Sequence, residues 1–276
     1  MERYAILGWP VEHSRSPKMQ EAGFHAIGID AVYELLPTRA EEFQERVAQM
    51  VKDGYRGWNV TAPHKERMFL CCDEVPDEDA STSHSVNTVV VRNGKTYGYS
   101  TDGIGVARAL THALGFATTP EIQLYLGAGG ATQAAAVYAA RHGAKTLYLA
   151  NRTLAHVQTL ADRIHECAPQ CEVHVMPLQD APKVAQECQV LFQGTSLGLH
   201  SGDPMPIDPE CLPNTLPVFD FLYTPSEFRN RLLQRGNPLT DGKEMLLQQG
   251  MESFQIWTNH PAPENAMRTG LEEYGA

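Results

Sequence analysis

No stretch of this 276-residue chain approaches the ~18 consecutive apolar residues that a membrane-spanning helix needs. The apolar run nearest the start, Tyr4–Gly8, is too short for a secretion signal. The expected location is therefore the cytoplasm. Positive charge is in deficit: 22 Lys and Arg stand against 33 Asp and Glu, for a formal net charge of −11. That balance argues against nucleic acid or an anionic membrane as the main partner. It leaves room for an anionic small molecule in a locally positive pocket. The six cysteines are scattered, with only Cys71 and Cys72 adjacent, and form no disulfide framework. They read as reduced thiols, mostly buried. His165, Cys167, Cys171 and His174 come closest to a metal set, but their spacing matches no zinc motif. A helix end followed by a strand accounts for them, so no metal is expected. Internal repeats and low-complexity tracts are also lacking.

Hydrophobic residues make up 42% of the chain, enough for one large domain or two modest ones. In the first part, strands are expected at Tyr4–Gly8, Val32–Leu36 and Gly57–Thr61. Helices are expected at Ser16–Ile27, Ala40–Lys52 and Pro63–Leu70, with Ser16 as N-cap and Pro17 at the first helical position. Val86–Arg92 and Lys95–Tyr99 flank Asn93-Gly94, a hairpin signal. A helix pattern, Ile104–Leu114, follows. Beyond it, strands at 122–126, 146–150, 173–176, 190–193 and 218–222 alternate with helices reaching Arg141 and at 154–167 and 181–187, and a long helix covers Glu244–Thr258. Such alternation predicts a parallel, doubly wound sheet with right-handed crossovers.

The strand at 122–126 runs into Gly127-Ala128-Gly129-Gly130-Ala131 and then an alanine-rich helix. Glycines let the backbone turn tightly and approach a diphosphate, and the helix N-terminus offers N–H groups and a positive dipole end. Thr132 stands where the strict dinucleotide fingerprint has its third glycine, so the match is a variant. The next strand ends in Asn151-Arg152-Thr153, with His156 one helical turn on. NAD-binding folds usually place a carboxylate there for the ribose 2′-hydroxyl. An arginine instead suits a 2′-phosphate, which favours NADP over NAD.

Polar clusters in the first part stand at strand ends: Ser14–Pro17, Asn59–Lys65, Ser85–Thr88 and Tyr99–Gly103. In open α/β sheets, ligands bind at the carboxyl ends of strands. Hydroxyls, an amide, an ammonium and a carboxylate together suit a polyhydroxylated carboxylic acid. Any one cluster alone is an ordinary cap or turn, and Lys65 alone would read as a helix-surface lysine.

Taken in order, these pieces resemble the shikimate dehydrogenase family over essentially the whole length. The matching motifs are Gly8-Trp9-Pro10 with His13–Pro17; Asn59-Val60-Thr61 with Pro63 and Lys65; Val86-Asn87-Thr88; Thr101-Asp102-Gly103; the glycine turn; Asn151-Arg152-Thr153; Thr195-Ser196-Leu197-Gly198; Asp220–Tyr223 with Pro225; and Met245-Leu246-Leu247 with Gln249. The resemblance implies an α/β enzyme of two domains flanking a cleft. Residues 1–101 plus 240–276 would form the substrate-binding domain, and residues 102–239 a Rossmann-like NADP-binding domain. The implied reaction interconverts 3-dehydroshikimate and shikimate in aromatic amino-acid biosynthesis. By position, Ser14 and Ser16 would hold the substrate carboxylate. Thr61, Asn87, Asp102, Tyr223 and Gln249 would contact the substrate, and Lys65 and Asp102 would be the catalytic pair. The glycine turn with Asn151, Arg152, Thr153 and His156 would bind NADP, with Thr195, Phe221 and Gly242 on the nicotinamide side. Hinge motion is expected near 101–103 and 239–242.

Several positions depart from the family pattern: Gln20-Glu21 for a usual His-Asn, Ser100 for Asn, Gln193-Gly194 for Asn-Ala, and Glu244 for Gly. None removes a catalytic residue. A paralogue acting on quinate or an aminated shikimate is the nearest rival. A non-catalytic NADP-binding regulator is the rival of another class, and the retained Lys65 and Asp102 argue against it. A homodimer is compatible with the sequence.

Overall fold

The computed structural model describes residues 1–200 and 202–273. They divide into two compact units, Met1–Gly105 together with the chain from Leu246 onward, and Val106–Met245.

The first unit opens with β1 (Glu2–Gly8), α1 (Ser16–Ala26), β2 (Ala31–Pro37), α2 (Phe43–Lys52) and β3 (Gly57–Val60). It continues with α3 (Lys65–Cys71), α4 (Glu78–Ser83), β4 (Thr88–Arg92) and β5 (Lys95–Tyr99), and enters α5 (Asp102–Leu114). Its sheet runs β2-β1-β3-β4-β5. The first three strands are parallel, and β4 and β5 add antiparallel neighbours. Asn93 and Gly94 both have positive φ, 53° and 76°, the geometry of a two-residue hairpin turn matched to the strand twist. Apolar side chains fill both faces. Leu7, Trp58, Val60 and Met68 pack with α2 on one side, and Tyr4, Phe24, Tyr33 and Phe254 on the other.

In the second unit come β6 (Ile122–Leu126), α6 (Gly130–Arg141), β7 (Thr146–Asn151), α7 (Leu154–Cys167), β8 (Glu172–Pro177), β9 (Val190–Gln193), β10 (Val218–Asp220), α8 (Glu227–Gln234) and β11 (Leu239–Asp241). The chain then passes into α9 (Gly242–Thr258), and α10 (Glu264–Glu272) returns to the first unit. The six strands are ordered β11-β10-β9-β6-β7-β8 and all pairings are parallel. The order reverses between β6 and β9, the switch point where doubly wound sheets bind ligands. The run of alanines in α6 lets that helix sit close on the sheet: Ala134, Ala135, Ala136, Ala139 and Ala140 are all buried.

Several expected boundaries shift. Arg15, not Ser16, is the N-cap of α1, and Pro17 is its second residue. The Ser14 hydroxyl accepts the Ser16 N–H at 3.3 Å, so a side chain outside the helix serves that donor. α2 begins at Phe43 rather than Ala40. Helix α3 begins at Lys65 rather than Pro63, because residues 61–64 close a turn, His64 N–H to Thr61 O at 3.0 Å. The helix expected at 181–187 is a 3-10 helix, Leu178–Lys183, with Pro182 inside it. Proline lacks the N–H that an α-helix would need there. The cysteines are less buried than expected: Cys171 and Cys188 are buried, Cys71, Cys72 and Cys167 half-buried, and Cys211 exposed. Helices α4, α8 and α10 and the short strand β11 carry patterns too brief or too polar to have been read from sequence.

Candidate active site

In the first unit the polar clusters converge at the carboxyl ends of β1 and β3 and the start of α5. Lys65, the first residue of α3, donates to Asp102 Oδ2 at 2.5 Å. Asp102, the first residue of α5, is 5% exposed and Lys65 20%. The lysine is therefore paired and largely sheltered, not a solvated surface group. The preceding residue, His64, is buried and anchors the start of α3. Its Nε2 lies 2.7 Å from the Thr38 carbonyl, so this nitrogen carries the proton, and its ring stacks on Phe43.

Asn87 fixes the other side of Asp102. The backbone N–H of Thr101 donates to Asn87 Oδ1 at 2.8 Å, which settles the amide orientation. Asn87 Nδ2 must then face Asp102 Oδ1, at 2.9 Å. Both oxygens of Asp102 thus face donors, Lys65 on one and Asn87 on the other. Gln249 Oε1 accepts from Thr101 Oγ1 at 3.3 Å. Gly105 is obligatory in α5, because a Cβ there would lie 2.7 Å from the Gln249 Cβ.

Behind this layer lies a second buried network that the sequence did not reveal. Asn59 Nδ2 donates toward the Asn87 carbonyl (3.1 Å), Thr88 Oγ1 (3.1 Å) and Ser253 Oγ (3.0 Å). A carbonyl can only accept, so the opposite face of the Asn59 amide is oxygen, and the Tyr33 hydroxyl donates to it at 2.7 Å. Burial pushes the Tyr33 phenol well above its ordinary pKa, so it stays a donor. Ser253 sits one helical turn after Gln249 on α9; that i, i+4 spacing was the available signal.

Ser14, Ser16 and Thr61 stand at the ends of the same strands. Gly8 packs on Thr61: a Cβ at Gly8 would collide with the Thr61 Cγ2. Residues that depart from the family pattern also acquire partners. Gln20 Nε2 donates to the Gly250 carbonyl at 2.9 Å, tying α1 to α9, and Glu21 Oε1 accepts the Tyr33 N–H at 3.1 Å. Ser100 N–H donates to Asp77 Oδ2, the same carboxyl that caps α4 through Ala80. Tyr223 lies in the second unit, 39% exposed, with Phe221 and Gly242.

At the switch point of the second unit, Gly127 has φ +97° and packs on the end of β9. A Cβ there would lie 2.7 Å from the Gly194 carbonyl carbon and oxygen. Gly129 is the N-cap of α6, in extended conformation with no side-chain cap. Gly129 and Gly130 are exposed, and a Cβ at Gly130 would meet nothing within 4 Å. Open space beside the positive end of a twelve-residue helix fits a diphosphate. Asn151 Nδ2 bonds the Thr153 carbonyl at 2.9 Å, folding the strand end so that Arg152 and His156 are exposed beside it. Thr195 follows β9 and is held by Gln193, whose Oε1 accepts the Thr195 N–H and hydroxyl, both at 2.9 Å. Gln193 Nε2 also reaches the Leu197 carbonyl at 3.2 Å, so its longer side chain ties the whole loop. Gly242 packs on Phe221, since a Cβ there would collide with the Phe221 carbonyl.

Asp220, at the end of β10, opens the Asp220–Tyr223 motif. It is fully buried. One oxygen accepts the Leu222 N–H at 3.0 Å and the other has no partner among the described residues. Burial raises its carboxyl to about 6. No group of three or more His, Cys, Asp or Glu able to hold a metal occurs among the described residues.

Comparison with known proteins matches three family models: the shikimate dehydrogenase substrate binding domain over residues 6–89, shikimate / quinate 5-dehydrogenase over 117–199, and the shikimate 5'-dehydrogenase C-terminal domain over 242–269. A shikimate dehydrogenase (NADP(+)) of Staphylococcus aureus is 35% identical over 98% of this chain and 97% of its own length. Among solved structures, the Thermus thermophilus shikimate 5-dehydrogenase in complex with NADP(H) and shikimate is similar with a TM-score of 0.86 at 30% identity, covering 99% of this chain and all of that one. A Corynebacterium glutamicum quinate dehydrogenase in complex with NAD gives a TM-score of 0.91 at 26% identity, with 99% of each chain covered. A full-length match at this identity, on a fold with the same two units, places the chain in the shikimate dehydrogenase family.

Proposed function

We propose that this protein is an NADP-dependent shikimate dehydrogenase that reversibly reduces 3-dehydroshikimate to shikimate. The observation that carries the reading is the Lys65–Asp102 pair, sheltered and held from behind by Asn87 at the strand ends where hydroxyls gather. Residues 1–101 with 240–276 serve the substrate, and residues 102–239 serve the cofactor. Ser14 and Ser16 hold the substrate carboxylate, and Thr61, Asn87, Asp102, Gln249 and Tyr223 its ring oxygens.

NADP, when bound, supplies or takes up the hydride. The protein's task is the proton. In the reducing direction the Lys65 ammonium gives a proton to the carbonyl oxygen as it becomes a hydroxyl; in the oxidising direction Lys65 takes it back. Asp102 orients Lys65 and balances its charge, and Asn87 holds the Asp102 carboxyl in place. The shelter of both groups strengthens their mutual attraction relative to water. On the cofactor side, the Gly127–Ala131 turn takes the diphosphate. Asn151, Arg152, Thr153 and His156 take the 2′-phosphate end, while Thr195, Phe221 and Gly242 line the nicotinamide end. No helix among the described residues is long and apolar enough to cross a membrane. We place the enzyme in the cytoplasm, and a homodimer is compatible with this reading.

The test is steady-state oxidation of shikimate and quinate with NADP+ and NAD+. The highest kcat/KM is expected for shikimate with NADP+. A higher value for quinate overturns the substrate assignment, and a higher value with NAD+ overturns the cofactor assignment.

A further inference from the structure

Two departures from the dinucleotide and family patterns, Thr132 and Gly194, meet in space. Thr132 is the third residue of α6, where the strict fingerprint has glycine, and it is 1% exposed. Its hydroxyl has no hydrogen-bond partner among the described residues. Gly194 follows β9, and its N–H donates to the Leu126 carbonyl at the end of β6. A Cβ built on Gly194 would fall on the Thr132 hydroxyl oxygen, and would lie 3.2 Å from the Thr132 Cβ and 3.3 Å from the Leu126 carbonyl oxygen. The φ of Gly194 is outside the left-handed region, so the backbone does not demand glycine there. Only the neighbour does.

We infer that Thr132 and Gly194 are a matched pair of positioning residues that sets the height of the glycine turn over the end of β9. The branched side chain of Thr132 fills the space that a methyl group at position 194 would occupy. It thereby wedges the first turn of α6 against the loop that carries Thr195. Gly127 packs on the same backbone, 2.7 Å from its virtual Cβ to Gly194 C and O. The turn is clamped between these two contacts. The Thr132 hydroxyl makes no hydrogen bond among the described residues, so the shape of the side chain is what acts. Cofactor affinity then depends on the two residues jointly, not on either one alone. This rests on the assignment of Gly127–Ala131 as the cofactor turn.

The test is a double-mutant cycle on the full-length protein. Its readouts are the Kd of NADP+ by isothermal titration calorimetry, the thermal unfolding midpoint, and the KM values for both substrates. Gly194→Ala overpacks the contact and is expected to raise the Kd by about tenfold, with the KM for shikimate unchanged. Thr132→Ala with Gly194→Ala removes the collision, and is expected to return the Kd to within about threefold of the wild type. Thr132→Val keeps the shape without the hydroxyl and is expected to bind like the wild type. A wild-type Kd in Gly194→Ala, no rescue in the double variant, or a tenfold loss in Thr132→Val each overturns the proposal. Gly127→Ala separates this from the underlying assignment. If it weakens NADP+ binding while Gly194→Ala does not, only the pairing fails. If neither does, the turn itself is misassigned.

Discussion

Replacing Asn87 by aspartate tests the wiring of the site with almost no change of shape. Asn87 Nδ2 stands 2.9 Å from Asp102 Oδ1, and Asn87 Oδ1 still accepts the Thr101 N–H in the variant. The substitution therefore turns one donor into an acceptor and leaves the rest of the contact in place. Two full charges at that distance repel by about 6 kcal/mol at an effective dielectric of 20. Lys65 on the other Asp102 oxygen offsets part of this. The cheaper state holds one proton between the two carboxyls, as closely paired acids do. The folded variant then binds one proton more than the unfolded chain from about pH 4 to beyond neutrality. A folded pKa raised above the unfolded value means stability that is greatest at low pH and declines as pH rises, at about 1.4 kcal/mol per unit for one proton. Relative to the wild type, Asn87→Asp should lose about 3 kcal/mol of stability between pH 5 and pH 7. Urea unfolding of both proteins across that range measures it. A difference between variant and wild type that stays constant with pH would refute the assigned direction of the Asn87–Asp102 bond. The same variant should show kcat lowered by about tenfold at neutral pH, since a proton shared between the two carboxyls weakens the hold of Asp102 on Lys65 by about 1.4 kcal/mol.

Two further predictions concern the second unit. Arg152→Ala should raise the KM for NADP+ by about tenfold and leave that for NAD+ unchanged, with the difference shrinking at high salt because Arg152 is exposed; equal effects on both cofactors would count against a 2′-phosphate contact. Asp220, with its carboxyl raised to about 6 from an ordinary 3.8, should give a wild-type stability that falls as pH rises from 4 to 6, by at most about 3 kcal/mol, and is flat above. Asp220→Asn should abolish that slope, and an unchanged pH–stability curve would remove Asp220 as its source.

Much of the second unit was legible because its elements are long and strictly patterned. Leu154–Cys167 and Val190–Gln193 fall where periodicity places them, and the glycines around Gly127 stand out because an apolar strand leads into them and an alanine-rich helix follows. The short elements were not legible. Six residues of α4 and three of β11 carry too little period, and Pro182 made a 3-10 helix of what read as α-helix. The unit divisions also differ in place: sequence motifs put the crossings at 101/102 and 239/240, whereas compactness puts them inside α5 and α9. In the first unit the individual residues Lys65, Asn87 and Asp102 could be named in advance, yet each alone read as a cap or a surface charge. The layer behind them left only fragments in the sequence, such as the i, i+4 spacing of Gln249 and Ser253. Tyr33, Asn59, Thr88 and Ser253 come from four different elements and meet only through the fold. The Thr132–Gly194 contact likewise joins positions about sixty residues apart, each of which looked like an independent oddity.

The central claim is that Lys65 carries the proton while Asp102 and Asn87 hold it in place. Lys65→Met keeps the unbranched stem as far as Cε and removes the ammonium, so the decisive measurement is its kcat for shikimate oxidation by NADP+ beside its Kd for shikimate by calorimetry. The account predicts a kcat lower by about 10²–10⁴ with the Kd within a few-fold of the wild type. A kcat within threefold of the wild type would contradict it.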